Sequence, residues 1–162
     1  MWGFFKRFLL AALSLTLSAV SAHADLGWTL AQSVQAYGEP TASVENGDSQ
    51  TNYQFKLQGK LQTYTITACF LYGRVGEVTY ERQAAFDMPS IDFFKARNCP
   101  DTQWHIAFEE GFGGYWSGQV DGKEAYRAVL SDDHTALTII TDDYRGRIMY
   151  RHFMKFLFGG GR

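Results

Sequence analysis

The sequence predicts an α+β fold in which short helices pack on an antiparallel β-meander. Three observations predict it. Apolar residues repeat at helical spacing soon after residue 24, the period then changes to two, and this order of elements recurs once. The recurrence suggests two tandem helix-plus-sheet units, residues 25–86 and 87–144, which share one core.

The first 24 residues have the three parts of a secretory signal peptide. Lys6 and Arg7 supply the positive charge, an apolar run with small residues follows, and Ala22-His23-Ala24 is a small-x-small cleavage site. A transmembrane anchor is the alternative, but the run is short for a span of about 20 residues and contains several hydroxyl side chains. We expect cleavage before Asp25 and a periplasmic or secreted protein.

A short helix is predicted between Gly27 and Gly38. Thr29 and Gln32 have the spacing of a capping box, and Gly38 can end the helix in a left-handed conformation. Three apolar side chains fall on one helix face: Leu30, Val34 and Tyr37.

Three antiparallel strands are predicted between Thr51 and Tyr80, because apolar and polar residues alternate there. Turns are expected at Gly59-Lys60 and at Tyr72-Gly73-Arg74. The apolar face of this meander is expected to cover the first helix.

The second unit is predicted to begin with a helix over residues 90–97, with Ser90 as its N-cap. Four strands follow in the prediction: Thr102–Phe108, Gly114–Val120, Glu124–Leu130 and Leu137–Asp142. Asp121-Gly122 is a strong signal for a two-residue hairpin turn.

Two cysteines, Cys69 and Cys99, follow the predicted cleavage site. They do not form a C-x-x-C pair and have no cluster of histidines at metal-ligand spacing, so a zinc or thioredoxin-type site is not expected. In an oxidising compartment we expect them to form a disulfide. Closing a loop of about 30 residues would stabilise the fold by about 3–4 kcal/mol in the chain-entropy model.

Charge is distributed unevenly along the chain. Residues 25–144 have a net charge of −9, from 8 basic and 17 acidic residues, whereas residues 145–162 have five basic and no acidic residues. On a helical projection Arg147, Arg151 and Lys155 form one stripe, and apolar side chains cover the rest. We expect this segment either to pack on the sheet or to lie on an anionic membrane surface through residues 145–158. The acidic body and export disfavour nucleic acid as a partner.

The segment Gly27-Trp28-Thr29-x4-Val34-x2-Tyr37-Gly38-Glu39-Pro40 resembles the opening of the SmpA/OmlA (BamE-like) family and the units of the β-lactamase-inhibitor-protein fold. The strand–turn–strand pattern of residues 66–75 extends the resemblance, which covers residues 26–82. It implies a helix layer on an antiparallel sheet and a tendency to bind proteins. BamE-like proteins are usually outer-membrane lipoproteins, and this sequence lacks their lipid-accepting Cys.

The sequence contains no recognised catalytic or metal motif. His105 and Glu109 share a face of the predicted strand but would be about 13 Å apart, which is too far for one metal ion. His134 lies beside Asp132 and Asp133 in a predicted turn; this cluster could bind a cation, but Asp is common in turns for backbone reasons, which is the favoured interpretation. No Ser lies in a G-x-S-x-G elbow. We therefore predict no catalytic residue, no metal and no cofactor.

Five large aromatic residues surround the glycine-rich segment 111–114. They are Trp104, Phe108, Phe112, Tyr115 and Trp116. Aromatic residues next to glycine are typical of contact surfaces, and they are also typical of β-sheet cores. Both interpretations stay open at this point.

The sequence thus predicts an exported, non-enzymatic protein that binds another protein or an envelope component. Two alternatives remain: a small extracytoplasmic hydrolase, or a membrane-peripheral protein that uses its C-terminal helix. A pocket with converging polar groups would favour the hydrolase, and an aromatic sheet face would favour the binding protein.

Overall fold

One antiparallel sheet of eight strands dominates the structure. The computed structural model describes residues 25–47, 49–59, 62–107 and 113–158, with side-chain surroundings through residue 150. In this part the elements are α1 (Leu30–Tyr37), β1 (Ala42–Glu45), β2 (Gln50–Gln58), β3 (Thr63–Leu71), β4 (Arg74–Glu81), α2 (Met88–Asn98), β5 (Gln103–Ile106), β6 (Gly114–Val120), β7 (Lys123–Leu130), β8 (Ala136–Thr141) and α3 (Asp142–Phe158).

The strand order is β1-β2-β3-β4-β8-β7-β6-β5, and every neighbouring pair is antiparallel. The strands β4 and β8 pair over the register from Glu77–Ile140 to Glu81–Ala136. The predicted α+β fold of two tandem helix-plus-sheet units is therefore wrong. Backbone hydrogen bonds cross the predicted boundary and join all the strands into a single, strand-dominated sheet. Alternation along a strand specifies its two faces but leaves open which strand edges pair.

The sequence signals for α1 are confirmed by the structure. The Thr29 backbone nitrogen donates to Gln32 Oε1 at 2.9 Å, and the Gln32 nitrogen donates to Thr29 Oγ1 at 3.4 Å. Gly38 follows the helix with a φ of 84°. This capping box satisfies two backbone groups that a helix start leaves without partners.

The second helix begins earlier than predicted, and Ser90 is not its N-cap. Asp87 caps α2 and accepts a hydrogen bond from the Ser90 nitrogen at 3.1 Å. Pro89 lies in the first turn, where its missing N–H costs nothing. The carboxylate of Asp87 is the stronger cap because it also complements the helix dipole.

The helices lie on both faces of the sheet. Side chains of α1 and α2 share the main core with one face; the largest fully buried members of this core are Tyr80, Phe55, Ile66, Ile91, Leu137, Ile139 and Val78. On the opposite face Tyr144 and Ile148 of α3 pack against Cys69, Leu71 and Ile140. Because successive strand residues point to opposite faces, these two sets alternate along β3 and β8.

The disulfide expected from the sequence is not formed. Cys69 and Cys99 are both buried and free. Cys69 lies on the sheet face that α3 covers, whereas Cys99 follows α2 and belongs to the main core on the other face. The sheet itself therefore separates the two thiols.

Strand β1 was not predicted. Its four residues are all exposed and pair only with β2 at the edge of the sheet. An edge strand without a buried face does not show the alternation that identifies the other strands.

Candidate functional site

A cleft of about 380 Å³ opens at one end of the sheet, where the β3–β4 turn, the segment before α1 and the start of α3 meet. Its floor consists of the buried residues Leu71, Val75 and Tyr144. Its rim carries the exposed residues Tyr72, Arg74 and Arg147. We call it the Tyr72 cleft.

Tyr72 has a backbone conformation that tyrosine rarely adopts. Tyr72 and Gly73 form the two-residue turn between β3 and β4, with φ angles of 52° and 76°. Turns with two positive φ angles favour Asn or Asp followed by Gly. The turn at Asp121-Gly122 has that composition and nearly the same φ angles, 51° and 73°. The left-handed conformation costs a bulky residue about 1–2 kcal/mol, so Tyr72 does not serve the stability of its turn.

Tyr72 is 65% exposed as a residue, and its ring lies beside positive charge. The guanidinium carbon of Arg147 is 5.7 Å from the ring centroid, within the range of a cation–π contact. Arg147 also pairs with Asp143 at 3.0 Å on the solvent side. Arg74 donates from Nη1 to the Gly27 carbonyl at 3.1 Å and has no ion-pair partner among the described residues. The rim thus combines an accessible ring with two guanidinium groups.

A glycine in β4 allows α3 to reach this position. The β3–β4 register shifts between Cys69 and Phe70, and Gly76 is the unpaired residue opposite this shift. A Cβ atom at Gly76 would overlap the Tyr144 ring, so the ring lies directly on the strand backbone. The Tyr144 hydroxyl accepts a hydrogen bond from Gln50 Nε2 at 3.0 Å. Tyr144 therefore anchors the start of α3 and places Arg147, one turn later, beside the cleft.

The one cysteine near the cleft is not an activated nucleophile. Cys69 Sγ donates to Glu77 Oε1 at 3.7 Å beneath Tyr144. Burial, together with the neighbouring Glu77 carboxyl, raises the pKa of Cys69 to about 12. Burial also raises the pKa of Glu77 above its ordinary value. Because the thiolate is the reactive form, this thiol is inert at neutral pH.

The three described members of the predicted aromatic surface do not share one face of the sheet. Trp104 and Trp116 lie on the main-core side, with Lys95 Nζ at 5.5 Å and 4.9 Å from their rings. Tyr115 points to the other face, where Arg127 lies 5.7 Å from its ring. Alternation along β6 separates Tyr115 from Trp116. Phe108 and Phe112 lie outside the described residues.

The predicted basic stripe is described only at its first member. Arg147 lies at the Tyr72 cleft, while the side chains of Arg151 and Lys155 are outside the described part. Within the described residues, no helix combines the length and hydropathy that a membrane span requires. Membrane contact through residues 145–158 stays a prediction.

The Asp-rich turn at residues 131–135 uses a carboxylate for its own hydrogen bonds. Asp133 Oδ1 accepts from Ser131 Oγ at 2.7 Å and from Thr135 Oγ1 at 2.9 Å. These bonds lower the pKa of Asp133 to about 2. In the part of the chain that the structure describes, no three His, Cys, Asp or Glu side chains are grouped as metal ligands.

Comparisons with known proteins do not assign the chain to a family. No family model matches it, and no curated protein sequence is similar. A solved structure of a cysteine-rich secretory protein from Staphylococcus aureus is similar over 74% of this chain and 45% of that chain, with a TM-score of 0.42 and 12% identity. This chain thus spans less than half of that protein. A similarity at this level assigns neither a fold nor a function to this chain. The resemblance of residues 26–82 to BamE-like proteins stays a prediction.

Proposed function

We propose that this is an exported, non-enzymatic binding protein that holds a segment of another protein in the Tyr72 cleft. Export rests on the signal-peptide pattern of residues 1–24. Binding rests on one observation above all: an exposed tyrosine occupies a turn position where its backbone is strained.

The strain at Tyr72 supports a functional role for its ring. Strained residues persist where the surrounding structure holds them, and they concentrate at ligand clamps and active sites. Tyr and Arg are also the residue types that, with Trp, contribute most to protein–protein binding energy. The rim of the cleft presents one tyrosine and two arginines above an apolar floor.

The chemistry of the cleft indicates the kind of segment that fits. The guanidinium groups of Arg74 and Arg147 are suited to a carboxylate, which they can bind through paired hydrogen bonds. The apolar floor is suited to an adjacent aliphatic or aromatic side chain. The rim holds two arginines and one aspartate, Asp143, so its net charge is positive, whereas residues 25–144 have a net charge of −9; an acidic partner can therefore approach here. We infer that the partner segment carries an acidic group next to an apolar side chain.

Site-specific photocrosslinking in the native cells tests this proposal. A photoreactive phenylalanine analogue is placed at position 72 and, as the matched control, at position 121, which has the same turn geometry. We expect one discrete crosslinked protein from position 72, its loss in an R74A/R147A background, and no such product from position 121. The proposal fails if the product is equally strong from position 121, survives loss of both arginines, or does not form at position 72.

A further inference from the structure

A cluster of three polar side chains, of which Asp25 is buried and Tyr37 and Arg97 are half-buried, lies where the chain enters the fold. Asp25 is 2% exposed, and its Oδ1 accepts hydrogen bonds from Arg97 Nε at 3.4 Å and from Nη2 at 3.2 Å. The same Nη2 donates to the Tyr37 hydroxyl at 3.1 Å. The cluster therefore joins the start of the described chain to α1 and α2.

The second oxygen of the Asp25 carboxylate has no partner. Oδ2 is buried and makes no hydrogen bond with any described residue. Burial also raises the pKa of Asp25, although Arg97 and the neighbouring Tyr37 hydroxyl oppose the shift. A buried carboxylate oxygen without a donor is costly, and a second cation would remove that cost.

The chain is part of the core from Asp25 onward. Leu26 is 8% exposed and belongs to the main core. The Gly27 nitrogen donates to the Val75 carbonyl at 2.7 Å, and the Val75 nitrogen donates to the Trp28 carbonyl at 2.9 Å. The peptide bond that the sequence marks for cleavage, Ala24–Asp25, thus joins directly to a buried residue.

We propose that the Asp25–Arg97–Tyr37 cluster receives the α-ammonium group that forms when the Ala24–Asp25 peptide bond is hydrolysed. The inference rests on the proposed export: a signal peptidase adds water across this bond, so that Ala24 leaves with a carboxylate and Asp25 keeps an amine that takes up a proton. Only Cα and Cβ separate this ammonium from the side-chain carboxyl of Asp25, so it can donate to Oδ2 while Arg97 holds Oδ1. Maturation thereby completes an ion cluster around the buried Asp25 carboxylate.

Two purified chains that differ by one residue test the proposal. One begins at Asp25 and the other at Ala24, which moves the ammonium by one residue and leaves Asp25, Arg97 and Tyr37 unchanged. We expect the Asp25 chain to melt several degrees higher. We also expect its α-amine to react more slowly with an acylating reagent at pH 8, by about tenfold for each unit by which its pKa exceeds the usual value near 7.7–8.0. The exposed amine of Lys123 is the internal control.

The same pair of chains in an Asp25→Asn background shows whether the carboxylate is the acceptor. The differences in melting temperature and in labelling should both shrink, because the amide carries no charge. Equal stability and equal labelling of the two wild-type chains would overturn the proposal. Recovery of the exported protein unprocessed, or with an amino terminus other than Asp25, would overturn it as well.

Discussion

At position 72 the backbone conformation suits another residue type than the tyrosine that is present. Its φ angle of 52° suits Asn or Asp, yet the position holds a large aromatic residue whose ring is mostly in solvent. An exposed ring gains little from burial, so it does not offset the cost of the left-handed backbone. We therefore expect Tyr72 to reduce the stability of the hairpin while it adds a contact group to the cleft.

Replacing Tyr72 with Asn should stabilise the protein and abolish capture of its partner. We expect the free energy of unfolding to rise by about 1 kcal/mol, since Asn tolerates positive φ better than Tyr. Urea denaturation measures the change, and Asp121→Asn in the equivalent turn should alter it little. If Tyr72→Asn lowers the stability, the ring contributes more to the fold than its backbone costs, and strain no longer supports a binding role.

At the level of elements, the position of α3 depends on one close approach. Tyr144 lies on the backbone of β4 because Gly76 has no side chain, and this contact is part of the small apolar cluster on that face. The same helix contains Gly146, at which an added Cβ would meet open space. A side chain at position 76 would therefore clash with Tyr144, whereas one at position 146 has room.

The substitutions Gly76→Ala and Gly146→Ala should have effects of opposite sign. Gly76→Ala forces Tyr144 out of place and should lower the free energy of unfolding by about 1–3 kcal/mol, as overpacking does. Gly146→Ala should raise it by about 0.5–1 kcal/mol, because Ala is the better helix former. Thermal denaturation followed by circular dichroism compares them. A neutral Gly76→Ala variant would show that α3 is not held by Tyr144.

At the scale of the whole molecule, the pairing of β4 with β8 makes the described residues one structural unit. The core residues Val78 and Ile139 face each other across this pairing and are both fully buried. A sheet that continues through its two central strands cannot lose one half without exposing the core of the other. This is the consequence of the topology that the two-unit prediction missed.

Unfolding should therefore be a single transition, even when only one half of the sheet is observed. Removal of the predicted signal peptide takes away Trp2, so the tryptophan fluorescence of a mature Trp28→Phe variant comes only from Trp104 and Trp116. Circular dichroism reports the whole sheet. Both urea curves should coincide. Adding Ile139→Val should lower stability by about 0.5–1.5 kcal/mol and shift the two curves together. Separate midpoints would indicate two independent units instead.

Much of the local structure could be predicted from the sequence, and part of the candidate site with it. The capping box at Thr29 and the turns at Tyr72-Gly73 and Asp121-Gly122 lie where the sequence places them. Arg147 was identified as a contact residue, but Arg74 was not, because an isolated arginine after a turn carries no signal. The sequence predicted the turn at Tyr72, but the positive φ of Tyr72 and its neighbours in the cleft came only from the structure.

The sequence by itself determined the helix stripe, the strand alternation and the caps and turns, since each of these depends on residues a few positions apart. Only the tertiary structure decided that β4 pairs with β8, that Cys69 and Cys99 lie on opposite sides of the sheet, and that Asp25 is buried against Arg97. Those outcomes join residues far apart in the chain. Their energies depend on which strand edges meet and which faces are covered, and no local pattern encodes that choice.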